Sequence, residues 1–151
     1  MRIFLIVFSY VNLFLYILIY SLYDNIAPLV GLTSLSTGAQ SFLKVSLLVI
    51  AGFFIGLIAS LFRKGRSSRS SFDYSLFLLL GLAPFVMLLL SEGSMTDFLI
   101  RVFFRSSKAL SEAAFYVFSR TAIYALWYGL SIGISVTVGF KEKIIRHKAS
   151  A

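Results

Sequence analysis

The chain has 151 residues, 59% of them hydrophobic and only 13% charged, with a mean hydropathy of +0.92. A soluble globule of this size cannot hide so large an apolar fraction, so lipid is expected to solvate much of the surface, and a single membrane domain over 1–151 accounts for the length. The formal net charge is +8 and there is no cysteine, which excludes disulfide and thiolate chemistry.

Four charge-free stretches are dominated by Leu, Ile, Phe and Val: Ile3–Tyr23 (21 residues), Val45–Phe62 (18), Tyr74–Ser91 (18) and Thr121–Phe140 (20); Ile26–Leu43 also lacks charge but not backbone breakers. At 1.5 Å per residue, about 20 apolar helical residues cross a hydrocarbon core of about 30 Å. The expected fold is an all-α integral membrane protein, a bundle of four transmembrane helices with spans at about 3–23, 42–62, 74–91 and 117–140. An external interfacial amphipathic helix is expected at about 95–112, between spans three and four.

The first span follows Arg2 and is too long for a signal-peptide core, with no small-x-small cleavage pattern at Ser21–Asn25, so it reads as a retained helix. Tyr16, Tyr20 and Tyr23 share one face, and Tyr20 and Tyr23 stand where an interfacial aromatic belt belongs. Asn12, at mid-span, is expected to bond a neighbouring helix. The segment Asp24–Ser41 contains Pro28, Gly31, Thr33, Ser34, Ser36, Thr37, Gly38 and Gln40. Such a density of backbone breakers and hydroxyls predicts an external loop, with a protein-shielded re-entrant loop as the alternative.

In the second span Gly52, Gly56 and Ser60 recur every four residues and form a narrow groove for close helix approach. The fourth span repeats the device with Gly129 and Gly133, while Ser131 and Ser135 fall on a neighbouring strip, so these two helices are candidates to pack on each other. The third span contains Gly81 and Pro84, and the proline is expected to kink it. Beyond it, Asp97, Arg101, Arg105, Lys108 and Glu112 follow at spacings of four, four, three and four. They would line one face of the interfacial helix, with Asp97–Arg101 and Lys108–Glu112 as i, i+4 ion pairs.

Arg63, Lys64, Arg66 and Arg69 follow the second span, and Lys141, Lys143, Arg146 and Lys148 follow the fourth. Short basic loops stay in the cytoplasm, which places both termini inside, in a bacterial-type plasma (inner) membrane. These clusters read as topogenic charge that can also meet anionic lipid headgroups, and not as a nucleic-acid surface. Lys44 and Arg120 stand near the outer ends of spans two and four, where long side chains snorkel to headgroups, and Glu92 and Asp97 are the expected ion partners of Lys44, Arg101 or Arg120. Lys44, Arg101, Arg105, Lys108 and Arg120 are therefore the candidate anion or lipid contacts.

Signals for an enzyme are absent. The single histidine, His147, sits in the basic tail, and there is no phosphate loop, nucleotide fingerprint, nucleophile elbow or metal-spaced carboxylate cluster, so no cofactor or metal is expected. No carboxylate stands at mid-depth in any span, which argues against a proton- or cation-coupled carrier. The expected function is a non-catalytic membrane subunit or scaffold whose partners are the lipid bilayer and either other membrane subunits or further copies of itself. The alternative is a small transporter or flippase for an anionic or lipid-linked solute.

Overall fold

The computed structural model describes residues 2–62, 70–91, 93–103 and 108–138. Of these, 88% are helical. The expected cytoplasmic basic clusters lie outside the described residues, as do Glu92, Arg105 and His147. The order is α1 (Arg2–Ser21), α2 (Tyr23–Leu29), a 3-10 turn at Leu32–Ser34, α3 (Thr37–Phe62), β1 (Ser71–Phe72), α4 (Tyr74–Leu90), α5 (Gly93–Phe103), α6 (Lys108–Phe118), α7 (Thr121–Ser135) and β2 (Val136–Thr137). Two helices, Ile3–Ser21 within α1 and Thr37–Phe62, are long and apolar enough to cross a membrane. A third crossing exists if α4 and α5, whose axes meet at 89°, form one broken span.

The segment expected as an external loop is instead short helix, 3-10 turn and the first turn of a longer α3. Gly31 takes a positive φ of 74°, which a residue with a side chain rarely adopts, and this reverses the chain after α2. The Ser36 hydroxyl then accepts from the Ala39 N–H at 3.4 Å, capping α3. At 26 residues α3 is about 39 Å long.

The packing of α7 on α3 positions everything else. A methyl group built on Gly129 would run into the Val49 carbonyl oxygen and lie 2.8 Å from the Val49 carbonyl carbon and 2.9 Å from the Phe53 nitrogen. On the other side, a methyl on Gly56 would strike the Leu130 carbonyl oxygen and come within 2.7 Å of the Ile134 nitrogen. Gly52 meets the Leu126 carbonyl and Gly133 the Phe53 carbonyl in the same way. The two helices thus touch backbone to backbone along four glycines, and Ser60 extends the contact by donating to the Val136 carbonyl. Because the opposed residues rise together in number, α3 and α7 run parallel.

Helix α4 covers the next face of α7, running antiparallel to it. Gly81 stands against the Ser131 hydroxyl, and Pro84, Ser131 and Ser135 are fully buried. The helix runs through Pro84 without ending, so the ring serves as packing surface there. Helix α1 lies antiparallel to α3 on its other side: the Phe8 and Tyr16 rings sit 6.3 Å and 5.9 Å from the Phe54 ring, while Ile19, further along α1, shares a pocket with Leu43 and Leu47 nearer the start of α3. Asn12 does not reach a neighbour: its amide donates to the Phe8 carbonyl of its own helix at 2.8 Å, since an i−4 carbonyl is always within range.

The fourth helix is shorter than the expected 117–140. It has 15 residues, about 22 Å, and both ends are broken by identifiable causes. At its start Arg120 has φ −87° and ψ 47°, outside the helical region, and the Tyr124 hydroxyl bridges the break by donating to the Val117 carbonyl at 2.8 Å. At its end the β-branched run Val136, Thr137, Val138 favours extended backbone. Val136 and Thr137 pair antiparallel with Phe72 and Ser71, and the Asp73 N–H donates to the Ser135 carbonyl at 2.9 Å. Asp73 then caps α4 by accepting from Leu76 N–H at 3.0 Å.

Gly129→Ala should destabilise the bundle by roughly 1–3 kcal/mol, because the methyl meets backbone that moves only if α3 and α7 separate. Gly38→Ala, with nothing within 4 Å of the added atom, should be neutral or stabilising by up to about 1 kcal/mol. Unfolding of the two variants by denaturing detergent gives both numbers; equal effects would show that the glycine contact does not hold the helices.

Candidate functional site

The residues singled out in the sequence fall into two groups with different surroundings. Gly52, Gly56, Ser60, Gly129 and Gly133 all lie in the α3–α7 seam. The cations do not converge. Lys44, on the third turn of α3, pairs with Asp24 at 2.7 Å and lies 4.9 Å from the centre of the Tyr23 ring. Arg120 stacks its guanidinium on Tyr116 at 4.0 Å, at the junction of α6 and α7. Lys108 faces Glu112 at 3.9 Å with both side chains largely exposed, and Arg101 is exposed at the end of α5.

The glycine register relates two of these cations. Projected back along the opposed residues of the seam, Arg120 falls level with Lys44, so both stand at one height of the bundle. From Lys44 to the last residue of α3 no charged side chain follows, a rise of about 27 Å that matches a hydrocarbon core.

The stripe Asp97, Arg101, Arg105, Lys108, Glu112 is not one helical face. Helices α5 and α6 are separate and pack on each other, and Asp97 and Ile100 line the same cleft as Glu112, Phe115, Tyr116 and Ser119. On one straight helix Asp97 and Phe115 would stand about 27 Å apart. Helices α5 and α6 therefore lie side by side and not end to end. The corner from α4 into α5 is held by Thr96, buried, which donates to the Leu90 carbonyl at 2.7 Å. Exposed apolar side chains remain on both arms, among them Phe98, Val102, Phe103, Leu110 and Phe115.

Sequence reasoning missed a half-open apolar pocket. Where α1, α2 and the first half of α3 meet, a cavity of about 300 Å³ is lined almost wholly by apolar groups, including Ile19, Ile26, Ala27, Leu47 and Ile50. Tyr23 also lines it, and is 5% exposed where a belt tyrosine would face the interface. Its hydroxyl is buried without a hydrogen-bond partner among the described residues. Asp24 is the partner of Lys44 among the described residues, in place of the expected Asp97; the pair is twenty residues apart in the chain, a separation with no helical periodicity to betray it.

Among the described residues no group of three or more histidine or carboxylate side chains is placed to hold a metal. The cleft between α5 and α6 offers two carboxylates, from Asp97 and Glu112, and among the described residues none of Arg101, Lys108, Arg120 and Lys44 lines it. Comparison with family models, with curated proteins and with solved structures finds no match to this chain.

The polar contacts at this level differ in burial, and their worth should follow it. Lys44→Ala should cost less than about 1 kcal/mol, as the Asp24 partner is 85% exposed. Tyr124→Phe should cost about 1 kcal/mol, the net worth of one part-buried hydrogen bond, because the Val117 carbonyl keeps the Arg120 N–H at 3.3 Å. Detergent-denaturation midpoints of the two variants, compared with the parent, order the contacts; a larger loss for Lys44→Ala would reverse this account.

Proposed function

We propose that the protein is a non-catalytic integral membrane subunit or scaffold, threaded four times through a bacterial-type plasma membrane with both termini in the cytoplasm. The alternation of direction, with α1 and α4 antiparallel to the parallel pair α3 and α7, supports four crossings. So do the charge-free rise below Lys44 and Arg120 and the basic clusters that follow spans two and four. In this reading α7 crosses as a short inner helix, its ends completed by α6 and by the β1–β2 pair. The hairpin of α5 and α6 lies along the outer interface, since α5 leaves α4 at nearly a right angle.

The observation that carries the functional reading is the closed interior. The bundle axis is occupied by glycine-to-backbone contact between α3 and α7 and by Pro84, Ser131 and Ser135 beneath α4. Ser131 and Ser135 spend their hydroxyls on carbonyls of their own helix. No polar path runs through such a seam, and the cations that would draw an anion stand apart. What the chain does offer is surface: the apolar flank of α1 away from α3, and the exposed phenylalanines of the α5–α6 hairpin.

Mild solubilisation of the full chain from its native membrane, with mass spectrometry of what co-purifies, tests the reading. A fixed-ratio partner or a defined homo-oligomer is expected, and Phe98→Ser with Phe103→Ser should reduce its recovery at least tenfold while leaving the unfolding midpoint unchanged. A lone monomer that moves an anion or a lipid across reconstituted vesicles would replace this function by the transport alternative.

A further inference from the structure

Helix α1 is far less enclosed than α3: only 6% of its apolar window is buried, against 39% in α3. Asn12 is the central residue of Ile3–Ser21, about 14 Å from either end, and its side chain, one methylene long, cannot reach the headgroups as a lysine or arginine does. An amide carries two N–H donors and a carbonyl acceptor, and Asn12 uses one N–H on the Phe8 carbonyl of its own helix. The second N–H and the carbonyl oxygen have no partner among the described residues. At this depth no water takes their place, so a neighbour that both donates and accepts is strongly favoured. Ser9, one turn away and fully buried, does not supply it, since its hydroxyl donates to the Leu5 carbonyl at 2.7 Å.

Asn12 also belongs to a row. Leu5, Phe8, Asn12, Leu15, Ile19 and Leu22 follow at alternating spacings of three and four, the repeat of a two-stranded coiled seam in which a single asparagine fixes the register. The row runs along the border between the α3-facing side of α1 and its outer flank: Leu5, Asn12 and Ile19 are half-buried, while Phe8, Leu15 and Leu22 are exposed. Even Phe8, which touches the Phe54 ring, leaves 49% of its surface open. We propose that this row is the contact between two copies of the chain, α1 against α1 in parallel, with the two Asn12 amides bonded to each other across a two-fold axis along the membrane normal. Each amide donates its spare N–H to the carbonyl oxygen of the other, so both unpaired groups are satisfied at once. The chemistry of the group selects a second copy as the occupant. An amide is complementary to itself, and copies threaded in the same direction bring Asn12 to one depth on both sides, whereas a lipid tail offers neither donor nor acceptor. The inference rests on the subunit reading and names the partner of α1; larger assembly through the α5–α6 hairpin is built from such pairs.

The chain has no cysteine, so single introduced cysteines report the contact. With the full chain in its membrane at low expression, copper-phenanthroline oxidation should cross-link Leu15→Cys and Leu22→Cys into dimers. Phe14→Cys and Ile17→Cys, exposed on other faces of the same helix, should stay monomeric. Asn12→Leu in the Leu15→Cys chain should lower the cross-linked fraction about tenfold, and Asn12→Gln, which keeps the amide, should restore it. The unfolding midpoint of Asn12→Leu, measured at a dilution where the parent is monomeric, should not fall, because within the chain the amide bonds only its own helix. Equal cross-linking at all four positions, or cross-linking unchanged by Asn12→Leu, would overturn the proposal. Native mass spectrometry separates its failure from that of the subunit reading: fixed-ratio foreign subunits around a single copy of the chain would keep that reading and remove the pair, while a lone monomer would remove both.

Discussion

The close approach of α3 and α7 is the constraint on which the rest of the molecule depends. In lipid, apolar side chains gain nothing by leaving hydrocarbon for a helix interface, so association rests on van der Waals contact and on hydrogen bonds that close backbone approach permits. Gly52, Gly56, Gly129 and Gly133 remove every side chain that would hold the two backbones apart, and the carbonyls of Val49, Phe53, Leu126 and Leu130 occupy the space. Once α7 is fixed there, its adjacent strip of Ser131 and Ser135 faces outward from the seam and meets Gly81 and Pro84 of α4. Helix α1 packs on the other face of α3, with Ser9 fully buried and the Phe8 and Tyr16 rings against Phe54, while its far flank stays exposed.

A short inner helix raises the problem of its ends. Fifteen residues do not span a hydrocarbon core, and unpaired N–H and carbonyl groups at membrane depth are expensive. The chain meets this with local pairing. After Ser135 the backbone becomes a strand bonded to Ser71–Phe72, with the Ser60 hydroxyl on the Val136 carbonyl and the Asp73 N–H on the Ser135 carbonyl. The same Asp73 starts α4, so one residue closes the end of α7 and opens its antiparallel neighbour. At the other end Tyr124 reaches back across the break to Val117, and Arg120 lies over Tyr116.

How much of this is legible in the sequence depends on whether the signal is periodic. Apolar runs and glycines at four-residue spacing are periodic, and the helical class, α1, α3 and α4 can be drawn from them within a few residues. The fourth helix ends earlier than charge-free length suggests because the backbone turns extended at three β-branched residues, Val136–Val138, and i, i+4 spacing does not report that α5 and α6 are two helices packed side by side. Arg120 stands at such a point too, yet an arginine beside an apolar run reads equally well as a snorkelling residue inside a helix. The Asp24–Lys44 pair and the burial of Tyr23 belong to the fold of α2 back over α3, which a Gly- and Ser-rich segment does not announce.

The two ends of the bundle are built on different principles, and this bears on function. The end at Ser60, Asp73 and Ser135 is stitched by backbone hydrogen bonds and leaves little for a ligand to complete. At the end bearing Lys44, α1 and α2 leave apolar space against α3 instead of filling it. The core closes its seam with glycine contacts that admit no added methyl group, yet leaves a space of about 300 Å³ on the face of α3 away from that seam. The packing of α7 on α3 therefore does not depend on how that space is filled, and the seam sets the stability of the bundle by itself.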